Sequence, residues 1–263
     1  MHAPDPGSPG ARGGSAMPAG ALGEDFQPAR DFRTGIAALG PFFTVEAHLP
    51  GDRPRLPWLT VGGLASRPDP MQRRISAVRD ALAANAGSLA EQIEARVAAS
   101  TAHFGVVARL VSPALAALVF GYQLSTDPSQ LWWHDVLGRP CSLSVPEPVH
   151  GLDSRSAETA CRQLIAEVIE PLTSVVATLV PISTRVLWGN VASAVNSASM
   201  QIAARQPEAA DPAQRLAEMV FRTPQLRTER NQPGPGFRRS SCCLYYRLSP
   251  ERAKGICDDC VLS

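Results

Sequence analysis

Apolar side chains recur along most of this chain every three to four residues, the period of a helix with one buried face. The first run, Phe26 to Gly40, predicts a short helix. "PFFTVEAHL" after it reads as a strand from its aromatic and β-branched content, and a Pro/Gly-rich loop, "PGDRPRLPW", follows. From Met71 to about Asn85 the residues Ile75, Val78 and Leu82 fall at helical spacing. Leu89, Ile93, Val97, Phe104 and Val107 carry the pattern toward Pro113, where a helix is expected to bend or restart. "SPALAALVFGYQL" reads as a buried helix, and "LGRPCSLSVPEPVHG" as a break holding a short strand or hairpin. The clearest helix starts near Ser156. Cys161, Leu164, Ile165, Val168, Ile169, Leu172, Val175, Val176 and Leu179 form its apolar stripe, with a kink expected at Pro171. Another covers about Thr184 to Ala204, with Leu187, Val191, Val195, Ala198 and Ile202 inward. A short one spans Asp211 to Phe221, capped by Asp211 with Pro212 in its first position. Arg222 to Phe237, rich in Pro and Gly, predicts extended chain. The body is therefore a mainly α helical bundle with a few short strands.

Composition narrows the class. The 263 residues suffice for one large core or two modest domains, and 44% hydrophobic content is ordinary for a globular protein. Twenty-five basic against 24 acidic side chains leave +1, which does not point to nucleic acid. Residues 1–24 read as a disordered Pro/Gly/Ala leader without the basic start and apolar stretch of a secretory signal. The uncharged runs Leu110 to Thr126 and Val186 to Ala204 are interrupted by Pro113 or dotted with Ser and Asn, so no membrane span is expected. A soluble protein of the reducing cytoplasm follows, where thiols serve better as metal ligands than as a disulfide framework.

That makes the cysteines informative. Four of the six lie in "SSCCLYYRLSPERAKGICDDCVLS": the adjacent Cys242 and Cys243, and the C-x-x-C pair Cys257 and Cys260. Three chemistries compete. A vicinal disulfide leaves the second pair unexplained. Structural zinc asks for a tetrahedron of thiolates, as a rule from two separated knuckles, and adjacent side chains suit it poorly. A [2Fe–2S] cluster divides four thiolates between two irons and accommodates an adjacent pair more readily. Spacing alone leaves all three open.

"RRSSCCLYYRL" with "GICDDCVL" resembles the carboxy-terminal module of the FhuF-like ferric siderophore reductases. "LWGNVASAV" at Leu187 to Val195 is similar to a helix motif of that family, and "ALGPFFTVEA" resembles its amino-terminal region more loosely. The resemblance implies that Cys242, Cys243, Cys257 and Cys260 hold a [2Fe–2S] cluster. It implies an oxidoreductase that reduces siderophore-bound Fe(III) to Fe(II) one electron at a time. The substrate would be a ferric siderophore, of hydroxamate type, and the electron would come from an external donor protein or reductant. The location would be cytoplasmic, at most peripheral to the inner membrane. The chain then divides into the leader (1–24), a mainly helical ferric-siderophore reductase-like domain (25–221) and a small C-terminal cysteine-rich iron–sulfur module (222–263). The thirteen residues between Cys243 and Cys257 exceed the family's usual spacing, so an outward loop is expected around "SPERAK". Two other classes stay in view: a zinc-stabilised interaction module, and an iron–sulfur redox sensor, for which no helix-turn-helix with a basic face stands out.

Charge adds one expectation. From Arg222 to Ser263 there are eight basic and four acidic residues, against seventeen and twenty in the rest. Arg238, Arg239 and Arg247 stand near the first cysteine pair. They either tune an anionic centre or solvate a loop. Other candidates are weaker. Trp132 and Trp133, beside His134 and Asp135, line a ligand pocket or anchor a core. Trp188 and Asn190 pack the bundle or face substrate. Cys141 and Cys161 read as small buried hydrophobes. Tyr245 and Tyr246 are expected to cover the cluster. No flavin or nicotinamide fingerprint occurs.

Overall fold

The computed structural model describes residues 30–49, 51–136, 140–227, 232–248 and 256–262. The expected leader and the loop around Ser249 to Lys254 lie outside the described residues. In chain order the chain forms α1 (Arg30–Ala37), β1 (Glu46–His48), β2 (Leu59–Thr60), α2 (Val61–Ser66), α3 (Pro68–Ala86), α4 (Ala95–Val119) and β3 (Tyr122–Gln123). There follow β4 (Trp132–His134), β5 (Ser142–Pro146), β6 (Val149–His150), α5 (Ser154–Gln163), α6 (Glu170–Leu179), α7 (Thr184–Arg205) and α8 (Ala210–Phe221). The mainly helical class and the few short strands are as expected.

The two apolar runs on either side of Pro113 form one helix, α4, with no restart. A proline inside a helix removes one ladder bond. Here that loss is outweighed by burial, since Val107, Val111, Leu115 and Ala116 are all fully enclosed. By length and composition α4 could cross a membrane. Most of it is instead buried against α3, α7 and α8, which accounts for its apolarity.

The irregularity expected at Pro171 takes the form of a π-helical turn, Leu164–Ile169, between α5 and α6. There the Glu170 amide reaches back five residues to the Ile165 carbonyl. Widening the turn relieves the crowding that the Pro171 ring imposes on the preceding carbonyls. Two expectations are corrected. Asp211 does not cap α8, whose first residue is Ala210; the 3-10 turn Pro207–Ala209 leads into the helix, leaving Asp211 in its first turn. The segment after Arg222 is not extended: where described, it folds as turns, one of them closed by Leu226 and Arg227 amides on the Thr223 carbonyl.

A four-stranded sheet in the order β1-β5-β4-β2 lies against the bundle, with β1 and β5 parallel and the other pairs antiparallel. β5 and β6 do not form a hairpin; β6 pairs with β3. Buried Arg109 of α4 ties helix to sheet by donating to the carbonyls of Cys141 (2.6 Å), Phe42 (2.9 Å) and Thr44. Three neutral acceptors thus satisfy a guanidinium that the sequence offered no reason to bury.

Candidate functional site

The cysteine tail is seated on the first half of α7. Gly189 makes room: a Cβ there would collide with Ser241 Oγ and lie 3.1 Å from Arg239 Nη2. Around it, Ser241 Oγ donates to the Arg185 carbonyl (2.8 Å) and Arg185 Nη2 donates to the Ser240 carbonyl (3.1 Å). Arg239, only 2% exposed, crosses into the bundle and donates through Nη2 to Asn190 Oδ1 (2.6 Å). Asn190 is in turn held by α4, donating to the carbonyl and hydroxyl of Ser100 at 3.0 and 3.1 Å. The two cysteine pairs are strapped together by the Arg239 amide on the Asp259 carbonyl (3.0 Å) and by Arg238 on the Asp258 carbonyl.

This seating brings the four tail cysteines into one region and leaves Cys141 and Cys161 elsewhere. Cys243 Sγ and Cys257 Sγ are 3.5 Å apart, and no disulfide joins any of the six cysteines. Backbone amides two residues on point at the sulfurs: Leu244 N–H at Cys242 Sγ and Leu262 N–H at Cys260 Sγ, both 3.3 Å. The Tyr245 amide does the same for Cys243. Leu244 adopts a positive φ of 71°, unusual without glycine, at the bend that aims these donors. The contact with Cys257, reinforced by the Tyr245 amide and Arg239, brings the Cys243 thiol down to about 6, while the same contact drives Cys257 upward. Burial pushes Cys242 up, against the Leu244 amide. Either sulfur of this pair can donate to the other.

A cavity of about 570 Å³ opens beside this pair, with Cys243, Cys257, Tyr245 and Arg239 in its tail wall. Arg239 makes no ion pair among the described residues, and its Nε has no hydrogen-bond partner. Beneath it lies His103 of α4, which sequence reasoning did not single out. Thr173 Oγ1 donates to the Ile169 carbonyl, so it accepts from His103 Nε2 at 3.1 Å. Nδ1 then carries the lone pair and is left without a partner. Burial, with Arg239 nearby, lowers the His103 pKa to about 3, so this imidazole is neutral at ordinary pH.

The remaining sequence candidates separate. Asn190 belongs to the tail seat and also lines the cavity. Trp188 is half-buried against the core. Trp132 and Trp133 are buried in β4, where the Trp132 ring stacks on His48 with centroids 3.6 Å apart; they anchor the sheet. His134 packs near Trp58, and Asp135 pairs with Arg74. Arg247 lies over the Tyr246 ring and pairs with Glu94 (2.7 Å) on the outside. Cys141 and Cys161 are buried as expected, and burial pushes the Cys161 thiol up to about 12. The Asn190–Arg239 contact spans 49 positions and has no sequence periodicity to announce it.

Residues 239–262 match the family model described as FhuF 2Fe-2S C-terminal domain. No curated protein matches the chain. The tail is accordingly an FhuF-like module, and the cofactor it takes is a [2Fe–2S] cluster.

Proposed function

We propose that this protein is a ferric siderophore reductase whose cluster is held by Cys242, Cys243, Cys257 and Cys260. The carrying observation is the matched module, in which these four thiols share one region with amide donors on three sulfurs and a buried, unneutralised guanidinium beside them. The residues fit the group. Thiolates are its usual ligands, N–H···S bonds and a nearby cation favour negative charge there, and among the described residues Arg239 has no carboxylate counter-ion. When bound, such a cluster supplies one electron at a time.

Substrate chemistry completes the reading. Fe(III) is a hard ion held tightly by hydroxamate oxygens, and Fe(II) is held far less well, so adding one electron releases the metal. The protein's part is to hold and shield the cofactor, set its potential and position the chelate. The electron is supplied by an external donor, and a reducing cytoplasm keeps the thiols available. The test is a redox titration of the purified protein with and without a ferric trihydroxamate, alongside iron and acid-labile sulfide analysis. Iron and sulfide in equal amounts, with oxidation of the reduced protein by the chelate, support the reading. Zinc in place of iron, or a reduced protein indifferent to every ferric chelate, overturns it.

A further inference from the structure

Along α7, Asn190, Ser193, Ser197 and Met200 follow one another at helical spacing on a face separate from the buried apolar stripe, and all four line the cavity. Thr101 and Phe104 of α4 face them. Ser193 is only 4% exposed and lines the cavity. Asp259, in the opposite wall, has a buried Oδ2 with no hydrogen-bond partner among the described residues. Hydroxyl, amide and charged groups set among apolar side chains around one space make the mixed lining of a ligand site. At about 570 Å³ the cavity falls within the range of small-molecule sites, roughly 300–1,000 Å³.

We infer that this α4–α7 cavity is the seat of the ferric chelate, an inference that rests on the reductase function proposed above. Ser193, Ser197 and Thr101 offer hydroxyls to the amide and hydroxamate oxygens on the chelate's periphery, and Phe104 and Met200 cover its hydrocarbon arms. The charged side chains of the wall, Arg238 and Arg239 against Asp258 and Asp259, balance, which suits a complex of low net charge. Cys243 and Cys257 are in this wall and Cys242 and Cys260 are not, so the bound metal lies on the Cys243/Cys257 side. Ser197 and Met200 thereby become specificity-determining positions.

The probe is gallium(III) desferrioxamine B, a trihydroxamate complex that cannot be reduced under these conditions, so binding is read apart from electron transfer. It is titrated calorimetrically into cluster-loaded wild type, Ser197→Trp, which fills the cavity from an exposed helix position, and Phe104→Ala, which removes its other wall. Both variants should keep the wild-type visible spectrum. Ser197→Trp should bind at least about tenfold more weakly, and Phe104→Ala should weaken binding to a smaller extent. Wild-type affinity in both variants overturns the site while leaving the reductase function standing. A wild type that binds no gallium complex and reduces no ferric one overturns both.

Discussion

Arg239 offers the sharpest test of the electrostatics, because three arginines near the cysteines turn out to be placed very differently. Arg239 is buried, anchored on Asn190 and without a carboxylate partner among the described residues. Arg247 has a side chain 33% exposed and is already neutralised by Glu94. A cation near the cluster stabilises the electron that reduction adds, so replacing Arg239 with Gln lowers the potential. For a unit charge on the order of 9 Å from the irons at an effective dielectric constant of about 20, the interaction is about 2 kcal/mol. About 59 mV corresponds to a tenfold change in a one-electron equilibrium, or about 1.4 kcal/mol, so the expected fall is about 80 mV. Arg239→Lys keeps the charge and should lose less than half of that. Arg247→Gln, screened by water and by Glu94, should move the potential by less than about 20 mV. Potentiometric titration followed by visible absorption and paramagnetic resonance measures all three, with iron content confirming that each variant keeps its cluster. A potential unchanged in Arg239→Gln, or one shifted as far by Arg247→Gln, refutes the reasoning.

Three further outcomes are expected. Cys257→Ser should lose or grossly alter the visible spectrum while Cys161→Ser, buried in α5, leaves it intact; an unchanged spectrum in Cys257→Ser removes it from the ligand set. Gly189→Ala gains roughly 1 kcal/mol of helix propensity but drives Ser241 Oγ off the Arg185 carbonyl, a loss of about the same size. Thermal stability should therefore stay nearly level while iron is lost faster to a chelator, and wild-type loss rates would show that the tail is not seated through Gly189. His103, neutral in the fold with its pKa near 3, takes up a proton only on unfolding as pH falls below about 6.5. Stability should accordingly decline from about pH 6.5 down toward pH 3, at up to about 1.4 kcal/mol per pH unit, and His103→Leu should flatten that slope in denaturant titrations.

How much of this was legible beforehand follows from which forces act locally. Helices with a strong stripe, such as Thr184 to Ala204, came within a residue or so of α7 because burying that stripe dominates its energy. Pro113 and Asp211 misled because each was read as local punctuation. Tertiary burial carried α4 through the proline, and a preceding 3-10 turn began α8 before the aspartate could cap it. The four cysteines were readable because metal chemistry fixes residue type and spacing together. Their surroundings were readable only in part: Arg239 and Asn190 stood out as candidates, but Ser100 and His103 did not, and the four come from three distant segments that meet only in the fold.

The serines and asparagines of α7 show the same division from the other side. In the sequence, apart from Asn190, they stood out chiefly as polar interruptions of an apolar run, arguing against a membrane span. In the fold they sort by angle around the helix. Leu187, Val191, Val195, Ala198 and Ile202 are sealed in the core, while Asn190, Ser193, Ser197 and Met200 turn toward the cysteines. One helix thus both packs the bundle and shapes the space beside the metal centre, and its second face is where a ligand would be recognised.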